Sequence, residues 1–173
     1  CGKIHHGIFW LWVPDIRFDI IHFQWPEAIF DWKEPTEVDL TMLSAVIKRR
    51  QGEGAKIVVT VHNQFPHEMD TNAFNRLYKI VYEAADGIIH LGEASIEILK
   101  QRYYEQVSQK KHLVIFHGDY SCLPDEISKC GAKLKLGLEK SQEVVLALGQ
   151  IRNSEELQLM LKGFAIARLK NTL

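Results

Sequence analysis

The segment HNQFPHE, residues 62–68, concentrates side chains that can do chemistry directly after an apolar run. Its candidates for contact with a ligand are His62, Asn63 and Glu68. A histidine near neutral pH can act as an acid or a base, or donate a hydrogen bond. Imidazole and carboxylate are also metal ligands, but the spacing HxxxxHE and the proline within it do not allow the single helical face of an HExxH site. We therefore predict no metal at this segment.

Four further apolar runs end in side chains of similar kinds. The run IIHFQWPE ends in His22, Gln24 and Glu27, and the candidates in the other three are His90 and Glu93 in GIIHLGE, His117 in VIFHGDY, and Gly149 and Arg152 in LALGQIR. One histidine at a strand end is usually a packing residue, but histidines at several strand ends favour a site. Arg152 could clamp a phosphate, and Gly149 would let a ligand approach the backbone closely. A tight turn followed by a surface arginine is the alternative interpretation.

The elements that must position these residues alternate along the chain. The pattern predicts strands at 18–25, 56–62, 86–92, 111–118 and 143–150, and helices at 37–51, 71–85, 93–104 and 154–170. Apolar strands that alternate with helices indicate an α/β fold, here a Rossmann-like three-layer domain with a mostly parallel sheet. In such sheets the strands end at one edge, where ligands bind. The aromatic segment 25–32 is interpreted as core or lid packing, with stacking on a sugar ring as the alternative.

Composition narrows the function classes. The chain has 173 residues, about the size of one domain, and a formal net charge of -1 without a basic stripe, which argues against a nucleic-acid partner. Its three cysteines indicate a reducing compartment, and it contains no apolar run of membrane-spanning length. The motifs GxGxxG, GxxxxGK[ST] and GxSxG do not occur. A dinucleotide site, a P-loop and a hydrolase nucleophile elbow are therefore not supported.

Five segments occur in the order found in retaining glycosyltransferases of the GT-B fold, particularly family 4. These are FDIIHFQWPE, KIVVTVHN, ADGIIHLGEASIEILKQRY, HLVIFHGDY and LALGQIR. From about residue 8 onward the chain resembles the N-terminal half of such a fold. The resemblance implies a Rossmann-like acceptor-side domain at 1–140. It also implies the first strand and helix of a truncated nucleotide-sugar-binding domain at 141–173.

The resemblance also implies roles for the candidate residues. His62 matches the catalytic cleft histidine that follows a strand ending in TxH. The residues implied to line the acceptor cleft are Asn63, Glu68, His90, Glu93 and His117, and those implied to bind the donor are Gly149 and Arg152. The family transfers sugars without a metal or another cofactor. The lysine that usually follows the donor-side arginine is missing here, because RNSEEL supplies acids and the nearest KG pair is Lys162–Gly163.

The expected function is therefore that of a glycosyltransferase fragment, inactive alone. The full hexosyltransferase would move a sugar from a nucleotide-diphosphate donor to a sugar or lipid-linked acceptor in surface polysaccharide biosynthesis. Its expected location is the cytoplasm; peripheral association with the inner face of the membrane and a homodimer are both left open. The alternative is a non-catalytic Rossmann-like domain that binds a ligand or a protein partner.

Overall fold

The structure is a computed structural model that describes residues 2–63, 70–119, 121–123, 126–151 and 153–167. The chain forms two compact units, Cys1–Gly118 and Asp119–Leu173. Among the described residues, no helix is both long enough and apolar enough to cross a membrane.

The first unit is built on a parallel sheet. Its strands in the described residues are β1 (Ile20–Phe23), β2 (Lys56–Val61), β3 (Gly87–His90) and β4 (Lys111–Val114). They lie in the order β1-β2-β3-β4, and each neighbouring pair is parallel. All four carboxyl ends therefore meet at one edge. The predicted α/β class with Rossmann-like architecture is confirmed, because helices connect these strands and flank the sheet.

The described residues of this unit form helices α1 (Phe9–Trp12), α2 (Glu37–Gly52), α3 (Asn72–Ala84) and α4 (Ala94–Val107), with a 3-10 helix at Pro26–Phe30. The three long helices, α2, α3 and α4, lie at the predicted positions. Thr36 begins α2 with a capping box, in which its hydroxyl accepts from the Asp39 N–H and the Asp39 carboxylate accepts from the Thr36 N–H. Thr71 caps α3 in the simpler way, by accepting from the Phe74 N–H. Helix α3 packs between α2 and α4.

The two faces of the sheet have different environments because side chains alternate along a strand. In β2, Ile57, Val59 and Val61 are buried in one apolar core. The core residues from the helices are Leu40, Leu43 and Ile47 of α2, Phe74, Leu77 and Val81 of α3, and Leu99, Tyr103 and Val107 of α4. The even-numbered residues of β2, and of β1 in the same register, therefore point to the opposite face, whereas in β3 it is the even-numbered Ile88, paired with Val59, that lies in the core.

Arg50 ties the segment before β1 to the end of α2. Its side chain is 0% exposed. The guanidinium donates to the carbonyl oxygens of Leu11 at 2.9 Å, Ile16 at 2.5 Å and Val13, and it pairs with the Glu53 carboxylate at 2.9 Å. These contacts satisfy backbone acceptors that form no strand or helix pairing, which is why a buried arginine is tolerated here.

The second unit contains helices α5 (Lys129–Lys135) and α6 (Ser154–Ala167). Helix α6 agrees with the predicted helix at 154–170 as far as the description extends. The predicted strand at 143–150 is wrong. Only Glu143 makes a single bridge, and among the described residues no strand pairs with 144–150. An apolar run becomes a strand only where a neighbour completes its backbone hydrogen bonds, and here Leu148 is 92% exposed.

Replacing Arg50 should destabilise the first unit strongly. We expect Arg50→Met to lower the free energy of unfolding by about 3 kcal/mol, because it leaves buried carbonyl oxygens without donors. Arg49→Met is the matched control, since Arg49 lies on the exposed side of the same helix. Its effect should stay within about 0.5 kcal/mol. Urea denaturation measures both values, and equal effects would contradict the role assigned to Arg50.

Candidate functional site

The carboxyl ends of β1 and β2 bring four polar side chains together. His62 Nε2 lies 2.6 Å from Gln24 Oε1, and His22 Nε2 lies 2.8 Å from Thr60 Oγ1. Gln24 Nε2 also lies 3.2 Å from His22 Nε2. All four positions are even-numbered, so the alternation that buries Ile57 and Val59 sends these side chains to the opposite face.

Trp25 completes this group by stacking on His62. The ring centroids are 4.3 Å apart and the ring planes differ by 14°. We call His22, Gln24, Trp25, Thr60 and His62 the edge cluster. Trp25 is half-buried, so the aromatic segment contributes to this cluster as well as to packing. An aromatic face beside amide, hydroxyl and imidazole groups is a composition typical of small-molecule sites.

The imidazoles of the edge cluster favour their neutral forms. Desolvation lowers the pKa of His62, and the nearby His117 lowers it further, while the Glu27 carboxylate acts in the opposite direction. Desolvation likewise lowers the pKa of His22, with a further contribution from His62. A neutral imidazole has one donor and one acceptor nitrogen. Because the Gln24 carbonyl oxygen only accepts, the proton of neutral His62 sits on Nε2 and leaves Nδ1 as an acceptor.

A buried carboxylate lies close to this cluster. Glu27, in the 3-10 helix, is 0% exposed, and its Oε2 accepts a 2.7 Å hydrogen bond from the Tyr78 hydroxyl. Burial, and next this hydrogen bond, raise the pKa of Tyr78 far above its ordinary value. Within the described residues, Glu27 Oε1 and Asn63 Nδ2 are buried without a hydrogen-bond partner. Both are two residues or fewer from members of the edge cluster.

The other predicted site residues have different surroundings. His117 is exposed, and its ring lies 6.4 Å from that of His62. His90 is buried and bonds to Ser95 and His112.

Four predicted positions remain. Glu93 is exposed at the start of α4 and makes no capping hydrogen bond. Gly149, in the second unit, has a φ of 133°, a conformation that favours glycine. Glu68 and Arg152 lie outside the described residues.

His22, Gln24, Trp25 and Thr60 were not among the predicted site residues. For Gln24 and Thr60 the signal in the sequence is parity, because Gln24 lies two residues after His22 and Thr60 lies two residues before His62, whereas Trp25 has no such signal. Residues two apart in a strand share a face. The cluster also requires that β1 and β2 be neighbours in the sheet, and only the fold shows that they are.

Among the described residues, no group of three or more histidine, cysteine, aspartate or glutamate side chains could hold a metal ion. No protein-family model matches the sequence, and no curated protein is similar to it. Function is therefore inferred from the residues of the edge cluster and their surroundings.

Removing the Tyr78 hydroxyl, which donates to Glu27, should lower the stability of the first unit. We expect Tyr78→Phe to lower the free energy of unfolding by about 2 kcal/mol, because the buried carboxylate loses its donor. Tyr82, one turn further along α3, is buried, and no described residue accepts a hydrogen bond from its hydroxyl. Tyr82→Phe should therefore change stability by less than about 0.5 kcal/mol. Thermal or urea unfolding compares the two, and a larger loss for Tyr82→Phe would contradict the assignment.

The lowered pKa values of His22 and His62 predict a loss of stability in acid. The unfolded chain, with histidines near pKa 6.5, binds protons before the folded chain does. The free energy of unfolding should therefore fall as the pH drops below about 6.5, by at most about 1.4 kcal/mol per pH unit for each proton. Urea denaturation between pH 7.5 and 5 measures this slope.

His62→Gln should reduce the slope, because it removes one of the contributing imidazoles. His6→Gln, at an exposed position in the segment before β1, should leave it as in the parent chain. A slope that His62→Gln does not change would exclude this imidazole as a cause.

Proposed function

We propose that this chain is the acceptor-binding half of a retaining glycosyltransferase of the GT-B fold, with His62 in its acceptor site. The observation that carries the proposal is the stacked and hydrogen-bonded array of Trp25, His62 and Gln24 at the carboxyl edge of a parallel sheet. The full enzyme would transfer a sugar from a nucleotide-diphosphate donor to a sugar or lipid-linked hydroxyl. It would act in surface polysaccharide biosynthesis, in the cytoplasm.

The position of the array supports a ligand site. Ligands of open α/β sheets bind outside the carboxyl ends of the strands, and the edge cluster lies at the ends of β1 and β2. His117 adds a third chain segment, just after β4, whose ring lies near that of His62. Side chains from three separate segments thus converge, which local packing of one strand end does not require.

The chemistry of the cluster suits a sugar. A pyranose has hydroxyl groups that donate and accept, and C–H faces that pack on aromatic rings. Gln24 and the neutral imidazoles supply both donors and acceptors, and the half-buried Trp25 supplies an aromatic surface. The net charge of -1 and the absence of a basic patch among these residues favour an uncharged group over a phosphate.

His62 has a specific role in this proposal. Its Nε2–H donates to Gln24 Oε1, which fixes the orientation of the ring. No described residue hydrogen-bonds to its Nδ1, so this nitrogen can accept the proton of an acceptor hydroxyl. The lowered pKa keeps the ring neutral and ready to accept near pH 7. Gly149 and Arg152 stay the predicted contacts of the donor diphosphate, whose developing charge an arginine would stabilise without a metal.

A ligand-binding domain without transferase activity is the second candidate. It is favoured by residues 144–150, which belong to the predicted donor-side domain and form no strand within the described part of the chain. Both candidates share the edge cluster and differ in whether a nucleotide is bound.

Saturation-transfer NMR with a panel of methyl hexopyranosides, and with UDP and GDP, tests the proposal. We expect at least one pyranoside to bind, and binding to weaken roughly tenfold in Gln24→Ala and in His62→Ala, which each lose a hydrogen-bonding partner. Lys48→Ala is the control, because Lys48 is exposed near the far end of α2. It should bind as the parent chain does.

The absence of binding by every sugar to a folded chain would contradict the proposal, and so would binding that both cluster variants leave unchanged. Binding of UDP or GDP in addition to a sugar would favour the transferase over the second candidate.

A further inference from the structure

Three side chains outside the edge cluster form a continuous hydrogen-bonded relay. Ser95 Oγ lies 2.6 Å from His90 Nδ1, and His90 Nε2 lies 2.8 Å from His112 Nδ1. The relay ends at the carbonyl oxygen of Val107, 3.0 Å from His112 Nε2. His90 closes β3, Ser95 lies in the first turn of α4 and His112 lies in β4, so three elements hold the geometry.

The end of the relay determines the direction of its hydrogen bonds. The Val107 carbonyl can only accept, so His112 carries its proton on Nε2 and, as a neutral ring, presents a lone pair at Nδ1. His90 must then donate from Nε2, which leaves its own Nδ1 as an acceptor. The Ser95 hydroxyl therefore donates to His90. The Gly92 carbonyl oxygen is a second acceptor for this hydroxyl, but it lies at 3.0 Å, farther than His90 Nδ1 at 2.6 Å, and the hydroxyl has a single proton to donate.

The relay has the arrangement of an activated nucleophile. A serine hydroxyl lies within hydrogen-bond reach of an imidazole base, and a third group orients that base. His90 is 0% exposed, whereas Ser95 is half-exposed, so the base is shielded and the hydroxyl can be reached. We propose that Ser95 is the nucleophile of a second reactive site that accepts acyl groups from carboxylic esters, with His90 as its base and His112 as the residue that positions His90.

The proposed step balances without any further reactant than water. Ser95 Oγ attacks the ester carbonyl carbon while its proton passes to His90 Nδ1. The tetrahedral intermediate collapses, the bond to the alkoxy group breaks, and that group leaves as an alcohol with the proton from His90. Water, deprotonated by His90, then attacks the acyl-serine and releases a carboxylic acid together with the free Ser95 hydroxyl.

Three features of the surroundings act on this step. Desolvation, then the neighbouring His112 and Lys100 of α4, lower the pKa of His90 to about 4, which keeps the ring unprotonated at neutral pH and also disfavours its imidazolium form. When His90 is protonated, its Nε2–H still donates to His112 Nδ1, which stabilises the imidazolium in place. The positive end of the α4 dipole lies at Ser95 and favours the developing oxyanion.

A fluorophosphonate probe tests the proposal on the intact chain. Such a probe forms a P–O bond with a serine oxygen and releases fluoride, and the serine proton goes to the base. We expect Ser95 to be labelled at least about 100-fold faster than Ser128, in line with general-base catalysis. Ser128 is a matched internal control, because it also begins a helix but its Oγ bonds to the Gly131 N–H and not to an imidazole. Peptide mass spectrometry follows both sites in one sample.

The variants separate reactivity from folding. Ser95→Ala should remove the fast labelling while circular dichroism stays unchanged. His112→Ala should slow the labelling of Ser95, and His112→Asn should restore much of it, since its amide oxygen can replace Nδ1 as the acceptor for His90. Labelling of Ser95 at the rate of Ser128 in the unaltered folded chain would overturn the proposal. His112→Asn behaving as His112→Ala would overturn the positioning role.

Discussion

The parallel register between β1 and β2 is the constraint on which the candidate site depends. This register pairs His22 with Val58 and Phe23 with Val59. It places Phe23 and Val59 in the core and sends His22, Thr60 and the following His62 to the other face. A slip of one residue would exchange the two sets, burying imidazoles in the core and exposing apolar side chains. The free energy that such a slip would cost the core maintains the register, and the register keeps the edge cluster together.

Two buried polar contacts hold the segments on either side of β1. Arg50 donates hydrogen bonds to carbonyl oxygens of the chain before β1. Tyr78 of α3 donates a hydrogen bond to Glu27, which lies in the 3-10 helix after β1. Glu27 is only two residues from Trp25, so the contact with Tyr78 also restrains the ring that stacks on His62. Packing and recognition are therefore linked, because the helix layer on one face positions an aromatic side chain of the edge cluster.

The sequence predicts the elements of the first unit well, because period-two and helical patterns are local properties. Strands β1 to β4 and helices α2 to α4 all lie where their apolar patterns place them. The predicted strand at 143–150 failed because an apolar run shows the capacity to form a strand and not the presence of a partner. Gln24, Thr60 and the Ser95–His90–His112 relay depend on contacts between segments 5 to 38 residues apart. The sequence places His112 in the predicted strand 111–118, but it does not show that this ring bonds to the fully buried His90.

Long-range ¹H–¹⁵N NMR of the histidine side chains, recorded with and without saturating hexopyranoside, can detect a sugar at the edge cluster. The ring-nitrogen signals of His62 and His22 should shift, and those of His90 and His112 should stay where they are. Unchanged His62 and His22 signals at saturating sugar would contradict a sugar site at the carboxyl edge of β1 and β2.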